Sequence, residues 1–392
     1  MNRSIAIVAT IFFLNSCSQP SREQLTEPNA TRDGYVPAIT EKSKDLPLSS
    51  IRLPKGFSIS VYAEVENARS MALSPSGTLF VGNRNEDKVY AVQDSDNDGR
   101  ADKVYTLASD LTMPNGVAFK DGDLYIAEKS KISKIIKVES DLSNPGKLQT
   151  VYDKFPTDDS HGWKYIAFGP DGKLYVPVGA PCNICEPSNP VYASITRMNA
   201  DGTGFEIYAS GIRNTVGFTW HPTTKNLWFT DNGRDRLGDD IPPCELNAIT
   251  EKGQHFGYPY CHGGTIKDPE FGNKRPCSDF VKPVQTLGAH VAPLGVKFYT
   301  GKMFPAEYNN QVIIAEHGSW DRSKKSGHRL ALVRIDDKGK ATAYETFASG
   351  WLNDATQKVW GRPVDVIVMK DGSMLVSDDQ ANVIYRITYK KS

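Results

Sequence analysis

The stretch Gly169-Pro170-Asp171-Gly172-Lys173-Leu174-Tyr175-Val176 reads as a tight turn feeding an apolar strand, and the chain repeats it. Related phrases stand at Ser74-Pro75-Ser76-Gly77-Thr78-Leu79-Phe80-Val81, at Lys120-Asp121-Gly122-Asp123-Leu124-Tyr125-Ile126 and at Lys370-Asp371-Gly372-Ser373-Met374-Leu375-Val376. The phrase returns between His221 and Phe229, and a weaker copy runs from Tyr308 to Ile314. Six such copies at this spacing mark a radial repeat. Each unit is a small antiparallel sheet that cannot bury both faces alone, and closing six into a ring covers those faces. The predicted fold is therefore all-β, a six-bladed β-propeller, with its chemistry on loops around a central funnel.

Composition agrees with a globular chain, 39% hydrophobic and 23% charged. Lys+Arg and Asp+Glu are equal at 46 each, and no basic run occurs, which argues against a nucleic-acid partner. The N-terminus differs from the rest. Arg3 precedes an apolar stretch from Ile5 to Leu14, too short for an ordinary membrane-spanning helix and suited to an export signal. Leu14-Asn15-Ser16-Cys17 resembles a bacterial lipobox, with Cys17 as the lipidated residue. Residues 1–16 are thus expected to be a lipoprotein signal, 17–45 a polar flexible tether and 46–392 the propeller domain. The expected location faces the periplasm, outer-membrane anchored, with the lipid as the only membrane contact.

Five further cysteines suit an exported protein that keeps disulfides. Cys182 and Cys185 form a C-x-x-C without the second pair of a four-cysteine zinc site, and without the βαβ setting of a redox centre. A tight loop disulfide is the reading. Cys261 and Cys277 flank a Gly- and Pro-rich loop and suit a second bridge, leaving Cys244 over, although spacing alone leaves connectivity open.

Three polar stretches break the repeat where loops should leave strands. In Asp158-Asp159-Ser160-His161-Gly162-Trp163, the histidine has the chemistry of a general base, although this stretch alone favours a surface residue in a polar loop. Ser210-Gly211-Ile212-Arg213-Asn214 sets an Arg fork suited to carboxylates beside an Asn. Thr230-Asp231-Asn232-Gly233-Arg234-Asp235 follows a strand and is rich in oxygen donors of the kind calcium takes. Separately, Asp94-Ser95-Asp96-Asn97-Asp98-Gly99 matches the first half of an EF-hand loop. Tyr105 stands where the bidentate Glu belongs, and Asp102 offers partial compensation. That loop reads as a structural calcium site through Asp94, Asp96, Asp98 and Asp102. None of the seven histidines shows zinc-hydrolase spacing.

Taken together, these stretches resemble the soluble pyrroloquinoline quinone (PQQ)-dependent sugar dehydrogenases, especially the L-sorbosone dehydrogenase branch. The resemblance runs from about Ile51 to Tyr389 and includes His255-Phe256-Gly257-Tyr258-Pro259-Tyr260-Cys261, Ala315-Glu316-His317-Gly318-Ser319-Trp320 and Trp360-Gly361-Arg362-Pro363. It implies PQQ and calcium as cofactors. It implies His161 as the base that takes a hydroxyl proton of a sugar or sugar-derived aldehyde, a hydride passing to the quinone. Asn115, Arg213, Asn214, Asn232, His317, Arg322 and Arg362 are implied cofactor contacts, and the carbonyls of Gly233 and Arg234 implied calcium ligands. Two departures matter. Ser160 stands where relatives can place an acid before the catalytic His, so Asp158 or Asp159 is expected to orient His161. Glu186 follows Cys185, so the haem motif of relatives that carry a cytochrome domain is missing, and electrons are expected to leave to an external quinone or cytochrome. A calcium-dependent lactonase and a non-catalytic binding propeller are the competing readings.

Overall fold

The computed structural model describes residues 34–391. The signal segment and Cys17 lie outside the described residues. Six antiparallel four-stranded sheets form the blades, the first carrying a fifth, outer strand. Each quoted repeat is the first hairpin of its blade. In blade two, Asp121 and Gly122 both take positive φ (51° and 91°) between Gly116–Lys120 and Asp123–Ala127. That is the two-residue turn whose twist suits a hairpin; at Asp171-Gly172 and Asp371-Gly372 the connection is five residues long and only the glycine takes positive φ (75° and 86°).

The second strand of a blade is packed on both faces by neighbouring blades, so it reads as a continuous apolar run rather than an alternating one. Leu174–Val178, Leu227–Asp231, Val312–Glu316 and Met374–Asp378 are buried from end to end. Large side chains fill the wedge between the fifth and sixth blades, with Tyr299, Phe347, Trp351 and Tyr385 in one cluster.

The ring closes with strands from both ends of the chain. Phe57–Glu64 is the outer strand of the last blade, paired with Val383–Tyr389 from Phe57 opposite Tyr389 to Glu64 opposite Val383. One expectation needs correction: Tyr35–Pro37, assigned to the tether, pairs with Lys103–Ala108 as the extra strand of blade one. Its polar flanks hid a three-residue edge strand that hydrogen bonding to an existing sheet is enough to order. Both disulfides are formed, Cys182–Cys185 and Cys261–Cys277, and Cys244 is a buried free thiol.

Candidate active site

The topology aims two loops of every blade at one end of the ring, the loop entering the first strand and the loop leaving the second. There the loops of blades one, three, four, five and six line a cavity of about 320 Å³. Arg69, His161, Arg213, Asn214, His290 and Arg362 come from entering loops. Arg84, Asn232, Gly233, Asp235, His317 and Trp320 come from leaving loops.

His161 sits in the left-handed region (φ 51°). Its Nδ1 donates to the carbonyl of Ala180 at 2.7 Å, which leaves Nε2 as the free acceptor. A Cβ on Gly179 would lie 2.5 Å from the His161 Cβ, so the glycine admits the imidazole. Burial, together with the positive charges of Arg213 and Arg84, pushes its pKa down to about 4, so at neutral pH it is an uncharged base. The expected orientation by Asp158 or Asp159 is overturned. Asp158 accepts from the Tyr192 hydroxyl and Asp159 from Lys129 Nζ at 2.6 Å, whereas a backbone carbonyl holds the ring. Below the loop, buried Lys164 donates to the Gly162 carbonyl at 2.9 Å, and burial with nearby Lys129 lowers its pKa to about 7.

Arg213 reaches the funnel, but its guanidinium is largely committed. Nε and Nη2 donate to the Asn183 carbonyl and side chain at 2.9 and 2.8 Å, and Nη2 also pairs with Asp235 at 3.1 Å. Asn183 lies inside the Cys182–Cys185 loop, which thereby positions Arg213. The backbone N–H groups of Arg213 and Asn214 both donate to buried Asp231, at 2.9 and 2.7 Å, fixing this turn against the second strand of the blade it enters. Asn232 Nδ2 donates to the carbonyls of Asn214 and Pro293, locking three segments together. Gly233 lines the funnel, while the side chain of Arg234 turns away to Asp268 (2.6 Å) and Glu270 (3.0 Å).

On the opposite side of this lining, Asp379 links Arg69 (2.8 Å) to His317 (2.8 Å). Burial would raise the Asp379 carboxyl, yet these two partners hold it well below the carboxylate range. Arg362 donates from Nε to the His317 carbonyl (3.0 Å) and from Nη2 to the Gly318 carbonyl (2.8 Å), so its charge meets no carboxylate.

Two expected cofactor contacts are not in the lining. Asn115 is fully buried one layer down, accepting from Arg69 Nε at 2.9 Å and donating to the Lys164 carbonyl at 2.9 Å. Arg322 lies outside the funnel, bonded to the Asp239 carbonyl and to Asp240 at 3.0 Å each, because its loop turns outward after Trp320. In the Asp94 loop, the carboxylates of Asp94, Asp96 and Asp98 converge, whereas Asp102 instead caps the Ser95 N–H at 2.7 Å. Sequence reasoning missed Arg69, Arg84, Trp163, His290, Trp320 and Asn183. The available signal was positional: all but Asn183 stand within about four residues of the repeat strands that end at the funnel.

Residues 125–386 match the model of the glucose/sorbosone dehydrogenase family. The chain belongs to that family. An uncharacterized protein of Borreliella burgdorferi is 36% identical over 370 residues, covering 91% of this chain and 95% of that one. Among solved structures, a Trichoderma reesei member of carbohydrate-active enzyme family AA12 superposes with TM-score 0.77 at 20% identity, covering 93% of this chain and 100% of that one. The holo PQQ domain of pyranose dehydrogenase from Coprinopsis cinerea superposes with TM-score 0.73 at 17% identity, covering 86% and 97%. At those identities the two structures bear on the fold, and the propeller of this glucose/sorbosone dehydrogenase family member agrees with theirs.

Proposed function

We propose that this chain is a PQQ- and calcium-dependent dehydrogenase that oxidises a sugar or a sugar-derived aldehyde of the aldose or L-sorbosone type. The observation that carries the reading is an uncharged His161 with a free Nε2, set in a funnel where Arg362 meets only carbonyls. Family membership and the PQQ-holding neighbour support it.

The donor set fits the cofactor. PQQ is a tricarboxylate, and a guanidinium without an acidic partner is what such a ligand pairs with. Arg362 would take one carboxylate, with Asn214 and His317 beside it, while Arg213, already met by Asp235, contributes shape and its remaining N–H. The backbone of Gly233 and Arg234 would hold calcium, since the Arg234 side chain is tied elsewhere. When bound, the quinone with its calcium supplies the two-electron acceptor. His161 Nε2 takes the proton of the substrate hydroxyl, and the Ala180 carbonyl stabilises the imidazolium that forms. Burial, helped by Arg213 and to a lesser degree Arg84, keeps the base uncharged before that step. We place the protein at the periplasmic face, anchored through Cys17, passing electrons to an external acceptor.

The lactonase reading wants several carboxylates on a central metal, whereas Asp235 is the single acid among the lining residues, paired with Arg213 through one oxygen and gathered with His290 and Asp321. The test is reconstitution of purified protein with PQQ and calcium, followed by dye reduction with a panel of aldoses and aldehydes and by lactone hydrolysis. Dye reduction that needs both additions supports the proposal. Lactone hydrolysis with calcium alone, and no dye reduction, refutes it.

A further inference from the structure

Besides Arg362, the funnel holds a second guanidinium with no carboxylate at ion-pair distance among the described residues, and this one shares a wall with the base. Arg84 leaves the second strand of blade one, and its guanidinium carbon lies 3.8 Å above the centre of the Trp163 ring. Trp163 is two residues from His161, and their ring centres are 6.1 Å apart, so Arg84, Trp163 and His161 form one wall. Among the described residues, only the Arg84 backbone has a hydrogen bond, from its N–H to Asn67 at 3.1 Å, and no carboxylate lies within ion-pair distance of its side chain. The neighbouring arginines are met differently, Arg69 by Asp379 and Arg213 by Asp235.

Holding an unpaired guanidinium partly buried among like charges costs free energy. Burial first, then Arg69, pushes its pKa down to about 10. Stacking on the indole offsets part of that cost and fixes the group in place, while leaving its N–H donors for a ligand. A neutral sugar would gain little from such a site. A sugar bearing a carboxylate or phosphate would gain a charge-assisted pair at a fixed distance from the base, which also selects the carbon presented to His161.

Resting on the dehydrogenase reading above, we infer that the substrate is an anionic sugar, a sugar acid or sugar phosphate, and that Arg84 is the residue that selects it. The ligand at Arg84 is assigned as substrate rather than cofactor because it shares its wall with the residue that takes the substrate proton.

The experiment compares glucose, glucuronate and glucose 6-phosphate on PQQ- and calcium-loaded enzyme, in wild type, Arg84→Gln, Arg84→Lys and Arg84→Glu. The wild type should prefer at least one of the two anionic sugars, and which one tells carboxylate from phosphate. In Arg84→Gln the ratio of kcat/KM for that sugar to that for glucose should fall roughly tenfold to a hundredfold, mainly through KM. Arg84→Lys should restore part of it, and Arg84→Glu should favour glucose. Equal ratios in all variants, or a loss confined to PQQ affinity measured by fluorescence titration, would overturn the inference. Calorimetric binding of glucuronate, glucose 6-phosphate and glucose to wild type and Arg84→Gln separates the two readings. If no sugar reduces dye but one anionic sugar binds through Arg84, the dehydrogenase reading fails, and Arg84 stands as the anionic-sugar site without the redox step. If wild type binds no sugar, or binds all three equally, this inference fails.

Discussion

The protonation state of His161 is the most exposed consequence of this geometry. Its pKa of about 4 stands against an ordinary value near 6.5, a gap of about 2.5 units or roughly 3 kcal/mol between protonation states. The causes rank as burial first, then the charge of Arg213, with Arg84 smaller, and the Ala180 carbonyl opposes them. At pH 5 the imidazole should therefore be about nine-tenths neutral, whereas an unperturbed histidine would be only about 3% neutral. The check is an NMR titration of the ring in the cofactor-free protein, with the resonance assigned by its loss in His161→Gln. Its nitrogen shifts should report the proton on Nδ1, the atom that donates to Ala180. Anion binding should move the midpoint upward, because a nearby negative charge favours the imidazolium. In kinetics, the acid limb of kcat/KM should lie below pH 6.5, activity appearing as pH rises through the folded pKa, and His161→Gln should lose on the order of a hundredfold or more in turnover. A midpoint between 6 and 7 in the cofactor-free protein would refute the reasoning, since burial and two arginines would then not be acting on the ring.

Other outcomes follow from the same structure. Gly179→Ala places a methyl carbon 2.5 Å from the His161 Cβ, so turnover should fall at least tenfold while circular dichroism stays unchanged. Arg362→Ala should weaken PQQ binding by roughly 2 kcal/mol in a fluorescence titration, whereas Arg322→Ala, outside the funnel, should leave it within about twofold. Asn183→Ala removes the side-chain oxygen that accepts from Arg213 Nη2 and from the Asp235 N–H, and should lower cofactor affinity without lowering the melting temperature by more than a few degrees. His161, His255 and His317 are all pushed down to about 4, so the unfolded chain binds more protons between pH 6.5 and 4. Thermal stability should therefore fall as pH drops through that window, and His255→Gln should flatten the fall.

The local phrase of turn and strand was enough to read the architecture from the sequence. A short Gly-containing turn between apolar strands reads as a hairpin, and six hairpins that each need a cover on both faces leave a ring as the compact answer. The loops that hold His161, Arg213, Asn214 and Gly233 were legible for the same reason, as polar breaks beside apolar strands, whereas Arg362 was legible only through the family resemblance. What those side chains do once there was not legible. Whether Arg213 is free or spent depends on Asp235 and on Asn183, which a disulfide loop brings from 30 positions away. Arg322 and Arg84 are chemically alike in sequence, yet one faces outward to Asp240 while the other stacks over Trp163 with no ion pair among the described residues. Asn115 looks like a ligand residue and is a buried strut for Arg69. Charge compensation, burial and the acceptor that fixes the His161 ring are sums over neighbours from several blades. Only the closed ring decides those neighbours, because only closure brings loops far apart in the chain to one axis.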